Sequence, residues 1–300
     1  MREASDGSAQ PMGAQRRLRR IGVVPHPARM INGPLRALDA WAEEHGADVV
    51  QIAVRGQEQE VAEPGQVADC DLVLAIGGDG TMLAAIRAAL GAGRPVLGLA
   101  CGSLGVLTAI EADGLGTALN RFSGGDWRPR RLPALVVSRD GADELLAFND
   151  IALVRAGIGQ VRVTTEVDGV LFSRLAGDGC IVSTPLGSSA YALAAGSALL
   201  TPETDAYLLT PLPTHGGSRH PLVISAGSEL RLEATPGIGG ARLEVDGQIA
   251  QTDPPVLTVG LRRDVATLVA FPEQEHLFAS LRRRQIIVDS PRILADDGRD

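Results

Sequence analysis

The sequence predicts an α/β plus all-β protein, in which an N-terminal doubly wound parallel α/β domain precedes a β-rich, β-sandwich-like domain. In the first 125 residues, short apolar runs alternate with helical patterns, which is typical of a parallel sheet. Downstream, apolar and polar residues alternate, as in Val161–Val167, and the turn signal Asp168-Gly169 follows. Hydrophobic residues make up 45% of the 300 residues, which is enough for two cores.

Composition changes along the chain predict four segments. Residues 1–15 are small and polar and are predicted to be a disordered tail. Residues 16–125 are predicted to form the α/β domain, and residues 126–270 the β-rich domain. Residues 271–300 are expected to be a C-terminal segment that returns to pack on the first domain. The segment Gly124-Gly125-Asp126 is the expected linker between the two domains.

Hydrophobic periodicity predicts the individual elements. Four strands are expected in the α/β domain: Ile21–Val24, Ala47–Val54, the apolar run between Asp71 and Gly77, and Pro95–Leu99. Helices are expected at Pro34–His45 and Met82–Leu90, with a loop or weak helix over residues 55–70. Near the C-terminus, a short helix over His276–Arg284 precedes the apolar run Ile286–Val288.

A glycine turn joins the third predicted strand to its helix, with the sequence Gly77-Gly78-Asp79-Gly80-Thr81. Strand, glycine turn and helix present backbone N–H groups and a helix N-terminus to an anion. Asp79 is the ionisable side chain placed there, and a carboxylate repels a bare phosphate. We therefore expect Asp79 to accept a hydroxyl proton or to hold a metal. The alternative is that its side chain caps the helix.

Composition narrows the function classes. The formal net charge of −8 disfavours broad nucleic-acid binding, which needs a basic surface. All 28 basic residues are Arg, which excludes a lysine-based phosphate loop. Cys70, Cys101 and Cys180 match neither a disulfide framework nor a metal-binding pattern, so a cytoplasmic location is expected. The sequence has no apolar segment of membrane-spanning length, so no membrane partner is expected.

Polar clusters interrupt the apolar runs of the β-rich part. Asn149-Asp150 precedes an apolar run, which suits ribose or base recognition, although a simple strand-entry turn explains it equally well. Small hydroxyl residues precede an alanine-rich predicted helix and would offer donors to a nucleotide; the alternative is a helix N-cap. The candidate binding residues of this part are Asn149, Asp150, Asp178, Ser188, Ser189, Ala190, Tyr191 and His215.

In patches from Ile21 to Gln248, in the right order, the sequence resembles the NAD kinases. The matching stretches are Ile21-Gly-Val-Val-Pro-His-Pro27, Gly77–Thr81, Asn149-Asp150, Gly177–Ser183 with the following Thr184-Pro-Leu-Gly-Ser-Ser-Ala-Tyr191, Leu209–Leu222 and Asp246-Gly-Gln248. The glycine turn also resembles that of diacylglycerol and sphingoid-base kinases. The Asn-Asp and Thr-Pro-x-Gly-Ser segments are not expected in those lipid kinases, so they favour the NAD kinases.

The resemblance implies transfer of the γ-phosphoryl of ATP, or of polyphosphate, to the 2′-hydroxyl of the adenosine ribose of NAD, giving NADP. It implies Asp79 as the catalytic residue, Mg²⁺ brought with ATP, and a nucleotide bound between the domains. Asp178 and Tyr191 would lie near the nicotinamide end, and the subunits would associate as a dimer or tetramer. One alternative is a kinase for a different nucleoside or nucleotide hydroxyl; another is a nucleotide-binding protein without turnover.

The sequence departs from the family pattern in part of the nucleoside pocket. Ala100 stands where the family has an asparagine, Val106 where it has an aromatic residue, and Leu186 where it has a hydroxyl. Asp150 is one carbon shorter than the family's glutamate, and Ser189 replaces a threonine. Loss of an aromatic contact costs about 1 kcal/mol. We therefore expect weakened NAD binding with the catalytic aspartate retained.

Overall fold

A computed structural model of the protein describes residues 17–102, 105–139, 141–217, 220–254 and 256–296. The predicted tail 1–15 lies outside the described residues, as do Ser103 and Leu104 of the loop after the fourth strand. The chain divides into two compact units. The first comprises Met1–Arg131 and Ala266–Asp300, and the second Leu132–Val265. The C-terminal residues thus belong to the same unit as the N-terminal α/β part.

The first part of the chain alternates strands with helices. Its elements are β1 (Arg20–Pro25), α1 (Asn32–His45), β2 (Asp48–Gln51), β3 (Leu72–Gly77), α2 (Asp79–Ala89), β4 (Val96–Ala100) and α3 (Leu115–Gly124). Strands β1, β3 and β4 are buried along nearly their whole length, which explains their continuous apolar sequences.

The rest of the chain is strand-rich. It contains β5 (Arg128–Arg139), β6 (Ala142–Ala147), β7 (Asp150–Arg155), β8 (Val161–Val167), β9 (Val170–Gly177), β10 (Gly179–Ser183), α4 (Tyr191–Ala194), β11 (Ala206–Pro211), β12 (Leu222–Ser225), β13 (Leu230–Thr235), β14 (Ala241–Val245), β15 (Gln248–Thr252), β16 (Leu257–Ala270), α5 (Leu277–Arg283) and α6 (Pro291–Asp296). None of the helices among the described residues is long and apolar enough to cross a membrane.

The first unit is built on a parallel sheet with the strand order β2-β1-β3-β4. The C-terminal end of β16 adds to β4 in parallel, with Leu268 opposite Val96. Helices α1 and α3 bury Leu38, Trp41, Leu119 and Phe122 in one core with the strand residues. Side chains alternate along a strand, so Leu97 and Leu99 of β4 face this core and Gly98 faces the opposite side, against Met82 of α2. Helices therefore cover both faces, as predicted for a doubly wound sheet.

The second unit is a β-sandwich. One sheet has the strand order β12-β11-β10-β7-β14-β15. Facing it are β9, β8, β13 and the start of β16, with the β5–β6 pair. A single core takes residues from both layers, among them Leu153, Val163, Tyr207, Leu232 and Val259. The predicted sandwich is confirmed.

Several local predictions are wrong. The segment Gly124-Gly125-Asp126 is no linker. Gly124 ends α3, Gly125 caps it in the left-handed conformation at φ 80°, and the Asp126 N–H donates to Arg121 O at 2.9 Å. The second strand is shorter than predicted and spans only Asp48–Gln51. The alanine-rich helix is a single turn, Tyr191–Ala194, that closes at Gly196 with φ 81°. Finally, Ile286 and Val288 are exposed, whereas α5 itself buries Leu277 and Leu281.

Candidate active site

The glycine turn lies at the carboxyl end of β3, in the middle of the parallel sheet. Gly77 is the last residue of β3, Gly78 is the N-cap of α2, and Asp79 is the first helical residue. A Cβ atom on Gly77 would overlap the hydroxyl of the buried Thr81, so the close approach of turn and helix requires glycine here. Gly80 completes the turn, so the structure brings the predicted residues of this motif together around the N-terminus of α2.

The Asp79 carboxylate is bound by the loop that follows β4. Its Oδ1 accepts the backbone N–H of Leu107 at 3.0 Å, and its Oδ2 accepts that of Val106 at 3.2 Å. The N-cap position belongs to Gly78, so Asp79 does not cap α2. Each carboxylate oxygen accepts one backbone bond and keeps a lone pair for another partner. The carboxylate is therefore oriented by the protein and remains able to accept a proton.

Gly105 makes this arrangement possible. A Cβ atom on Gly105 would overlap the Asp79 carboxylate, so a side chain at position 105 would push the carboxylate away. The N–H of Gly105 donates to the Thr108 hydroxyl at 2.7 Å, which anchors the loop. Of the family departures in this region, Ala100 is buried and Val106 is half-buried. The contact between Asp79 and residues 105–107 joins two distant stretches of sequence, and spacing alone gives no signal for it.

His26 lies at the carboxyl end of β1, beside β3. Its Nδ1 accepts the backbone N–H groups of Ala28 at 3.1 Å and Arg29 at 3.0 Å. Two donors at one nitrogen require that nitrogen to be unprotonated, so the ring carries its proton on Nε2. Burial, and secondly the charge of Arg29, lower the pKa of His26, in agreement with a neutral ring.

In the second unit, Asp246 organises the segment that contains Asn149 and Asp150. Its Oδ1 accepts the N–H groups of Asn149 at 2.7 Å and Asp150 at 3.1 Å, and its Oδ2 accepts that of Phe148 at 3.0 Å. Asp246 and Gly247 have φ values of 45° and 76°, as the tight β14–β15 turn requires. The sequence indicated the turn; the three bonds to a segment almost a hundred residues earlier are revealed by the structure.

Asp150 begins β7 and is 6% exposed. Burial, and secondly the charges of Asp246 and Glu244, together raise the pKa of its carboxyl to about 7. Directly opposite Asp150 in the ladder is Ser183 of β10. The Ser183 hydroxyl is buried and has no hydrogen-bond partner among the described residues. Two buried polar side chains are thus adjacent on one sheet.

The segment Thr184–Tyr191 forms a compact turn whose hydroxyls are largely used internally. Thr184 donates to the carbonyl of Phe148 at 2.7 Å. The Ser188 hydroxyl is fully buried; it donates to Pro185 O at 2.6 Å and accepts the N–H of Leu200 at 2.9 Å. Ser188 therefore stabilises the turn and has no hydroxyl hydrogen left for a ligand, contrary to the predicted donor role. Ser189 donates to the carbonyl of Leu186 at 2.9 Å.

Two of the predicted residues, Asp178 and Tyr191, line one cavity of about 490 Å³ in the second unit. Asp178 accepts a hydrogen bond from Arg155 Nε at 2.5 Å, and Tyr191 presents a ring that is 43% exposed. Ala190 precedes Tyr191 and is half-buried. His215 is exposed outside the cavity and is fixed through its backbone, whose N–H donates to Ala176 O at 3.0 Å. Sequence reasoning missed Arg155, since an arginine at the end of a strand carries no recognisable signal.

A parallel α/β sheet with an oriented aspartate in its glycine turn, followed by a β-sandwich with a cavity of mixed polarity, fits the class of nucleotide-dependent phosphotransferases. Family models place the chain within that class. Residues 18–127 match the ATP-NAD kinase N-terminal domain, and residues 148–263 match the ATP-NAD kinase C-terminal domain. The chain belongs to the NAD kinase family.

Curated relatives agree with this assignment. An NAD kinase of Corynebacterium diphtheriae is 34% identical over 264 residues, which cover 82% of this chain and 83% of the relative. An NAD kinase of Ralstonia nicotianae is 32% identical, and the match covers 86% of this chain and 89% of the relative. One from Acidovorax sp. (strain JS42) is 39% identical over 173 residues, 56% of this chain; the match spans only 58% of that relative's length.

Solved structures share the fold. A yeast NADH kinase complexed with NADH has a TM-score of 0.76 and 20% sequence identity, and the match covers 92% of this chain and 90% of that one. An NAD kinase from Archaeoglobus fulgidus in complex with ATP has a TM-score of 0.71 and 23% identity, with 88% and 98% covered. At these identities the likeness concerns the fold, and it confirms the predicted order of an α/β part and a β-rich part.

Proposed function

We propose that the protein is an NAD kinase, which transfers the γ-phosphoryl of ATP or of polyphosphate to the 2′-hydroxyl of the adenosine ribose of NAD and forms NADP. The observation that carries this proposal is the Asp79 carboxylate, oriented by two backbone N–H groups within the glycine turn. Membership of the family supports the substrate class. The related structures that bind NADH and ATP support the two ligands.

Phosphoryl transfer depends mainly on positioning and charge stabilisation. In the proposed reaction, Asp79 accepts the proton of the ribose hydroxyl through a free lone pair of its carboxylate. The N-terminus of α2, a helix of 11 residues, directs its positive end toward the phosphate charge that develops at the glycine turn. The space beside Gly78 and Gly80 is open, because an added Cβ atom at either position would have no neighbouring atom within 4 Å. A phosphate can therefore approach the backbone there.

Mg²⁺ is proposed to enter with the phosphoryl donor. The described residues contain no cluster of three or more His, Cys, Asp or Glu side chains that would hold a metal ion by themselves. The single oriented carboxylate of Asp79 fits a magnesium ion whose other ligands are donor phosphates and water, which is how Mg²⁺ commonly binds. When bound, the ion would offset the negative charge of the phosphates.

The acceptor is proposed to bind through the second unit. Asn149 and the buried carboxyl of Asp150 suit the ribose, and the cavity beside Asp178 and Tyr191 suits the nicotinamide end. Val106 is half-buried at a position where the family resemblance implies an aromatic ring, so we expect NAD to bind more weakly than in a family member with that ring. This departure is also the observation that favours the second candidate, a kinase of the same family acting on a different nucleoside or nucleotide.

The experiment is to incubate the protein with Mg-ATP or Mg-polyphosphate and a panel of NAD, NADH and nucleosides, and to identify products by mass spectrometry. Asp79→Asn is expected to lower turnover by roughly 10²–10⁴-fold, because the general base is lost. Nucleotide affinity should stay within a few-fold. Asp113→Asn, an exposed aspartate of the same unit, is the matched control and should leave turnover unchanged. Near-normal turnover of Asp79→Asn would overturn the mechanism, and phosphorylation of a nucleoside instead of NAD would favour the second candidate.

A cytoplasmic location is proposed with the enzyme. Support comes from the three cysteines, all of which are free: Cys70 and Cys180 are buried, and Cys101 is half-buried. Burial raises the pKa of all three thiols, so they are poor nucleophiles suited to a reducing compartment.

A further inference from the structure

We propose that Arg29 and His26 form the binding site for the terminal phosphates of the phosphoryl donor, that is, for the polyphosphate chain of ATP or of inorganic polyphosphate. The identification of this anion as the donor rests on the proposed kinase function. The anion site itself rests on the geometry of the turn that follows β1.

Arg29 belongs to the turn after β1, and its guanidinium contacts the loop that follows β4, beside the glycine turn. Its Nη1 donates to the carbonyl of Cys101 at 2.6 Å. The N–H of Cys101 in turn donates to Gly77 O at 3.2 Å, and Gly77 is two residues from Asp79. Nη1 also lies where a Cβ atom on Gly102 would come within 3.2 Å of it. Arg29 is thus held next to the glycine turn.

Most of the hydrogen-bonding capacity of Arg29 is unused. A guanidinium has five N–H donors in a planar fork that matches phosphate oxygens, and one of them is occupied here. Among the described residues, Arg29 forms no ion pair with a carboxylate, although many other arginines of the chain do. The side chain is exposed and therefore open to a ligand.

His26 supplies a second donor on the same turn. Because Nδ1 accepts two backbone N–H groups, the ring proton is on Nε2, which is available to an anion. Gln59 holds the turn from the other side: its Nε2 donates to the carbonyls of His26 at 2.7 Å and Arg29 at 2.9 Å. Four hydrogen bonds therefore preorganise the backbone that carries both donors.

Electrostatics explains why this site should take phosphate. The carboxylate of Asp79 repels an approaching polyphosphate, and the chain carries no lysine to compensate, since all 28 of its basic residues are arginines. A guanidinium without a carboxylate partner, on the loop next to the glycine turn, supplies the missing positive charge. The terminal phosphates of the donor would lie between the glycine turn and the donors of Arg29 and His26.

The test is isothermal titration calorimetry of the full chain with inorganic tripolyphosphate, ATP and AMP, in the absence of NAD. Arg29→Ala should weaken tripolyphosphate and ATP binding about 10- to 100-fold, as expected for loss of charged hydrogen bonds. AMP binding and the KM for NAD should change less than about two-fold. The matched control is Arg36→Ala, an exposed arginine of α1, which should bind as the wild type does.

His26→Asn keeps a side-chain oxygen for the two backbone N–H groups and removes the Nε2 proton, so a few-fold loss of tripolyphosphate affinity is expected.

Three results would overturn the inference: donor affinity of Arg29→Ala equal to that of Arg36→Ala, equal loss for AMP and tripolyphosphate, or no binding of either polyphosphate ligand to the wild type. Loss of tripolyphosphate binding in Arg29→Ala, together with a wild type that makes no NADP, would support the anion site and reject the proposed function. The reverse pattern, full NADP formation with unchanged donor KM in Arg29→Ala, would reject the anion site alone. Whichever of tripolyphosphate and ATP binds with the higher affinity is the donor that the site favours.

Discussion

Two aspartates of the β-sandwich lie close together and differ in their surroundings. Asp246 accepts three backbone N–H groups. Asp150 is buried, and burial together with the neighbouring carboxylates raises its pKa to about 7. Between the unfolded value near 4 and the folded value near 7, the folded protein therefore holds a proton that the unfolded chain has released. The contribution of Asp150 to stability falls as the pH rises through this window.

Asp150→Asn should remove this pH dependence, because asparagine resembles the protonated carboxyl and does not ionise. We expect the variant to melt at a higher temperature than the wild type at pH 8, and the difference to become small at pH 4.5. Thermal melting at several pH values measures this directly. The control is Asp143→Asn, an exposed aspartate of β6, whose difference from the wild type should not vary in the same way. An Asp150→Asn difference that is constant from pH 4.5 to pH 8 would contradict the prediction.

At the scale of single elements, the loop after β4 determines where the catalytic carboxylate points. Backbone N–H groups of residues 106 and 107 hold Asp79, and Gly105 leaves the space that the carboxylate occupies. Gly105→Ala should displace the carboxylate and lower kcat by roughly ten- to a hundred-fold, because a misplacement of about 1 Å has effects of that size. Steady-state kinetics measures kcat and both KM values.

Gly114→Ala is the matched control for this substitution. It lies in the same segment of the first unit, and the nearest atom to an added Cβ would be at an ordinary distance of 3.9 Å. Melting curves of both variants separate a local displacement from a loss of folding. If Gly105→Ala turns over at the rate of Gly114→Ala, the loop does not position Asp79.

Elements that the sequence predicted well are those whose local pattern agrees with their final environment. β3 is apolar throughout because it is buried on both faces, and Asp168-Gly169 forms the predicted tight turn with φ values of 51° and 77°. The helix α3 was not predicted. Gly116 lies in its first turn and lowers the helix propensity, and packing of Leu115, Leu119 and Phe122 outweighs that preference. The alanine-rich stretch after Ser189 shows the opposite error. Its helix propensity is high, but the structure contains only a single helical turn there.

In the site, too, local features were predictable from the sequence and long-range contacts were not. Residues that act within one motif, such as Gly77 to Thr81, were predictable because the strand–turn–helix order brings them together. Contacts made across the chain were not: Asp79 with Leu107, Asp246 with Asn149, and Arg29 with Cys101 each depend on the tertiary arrangement of the strands. Ser188 shows the converse error, since its residue type suits nucleotide binding while its burial commits the hydroxyl to the turn.

At the scale of the whole molecule, the β-sandwich exposes an apolar surface at two strands that each end a sheet. β9 is the terminal strand of one sheet and β12 that of the other. Val170, Leu171, Phe172 and Val223 are exposed there and line a groove of about 340 Å³. Exposed apolar edge strands favour pairing with another chain, and a contiguous apolar patch is typical of an interface. We propose that a second copy of this chain covers the groove, consistent with the homo-oligomer that the family resemblance implies.

The prediction for the assembly is that the wild type is a dimer or larger oligomer in solution and that Phe172→Asp with Val223→Asp shifts it to smaller species. Two charges on the apolar groove would have to be buried without partners, which is strongly unfavourable. Light scattering after size-exclusion chromatography measures the mass, and NADP formation at the same concentration shows whether association supports turnover. The control is Ile249→Asp, a residue 61% exposed on β15 at the far end of its sheet from β12, which should keep the wild-type mass. A monomeric wild type with full activity would reject the oligomer, and an unchanged mass in the double variant would place the interface on a different surface.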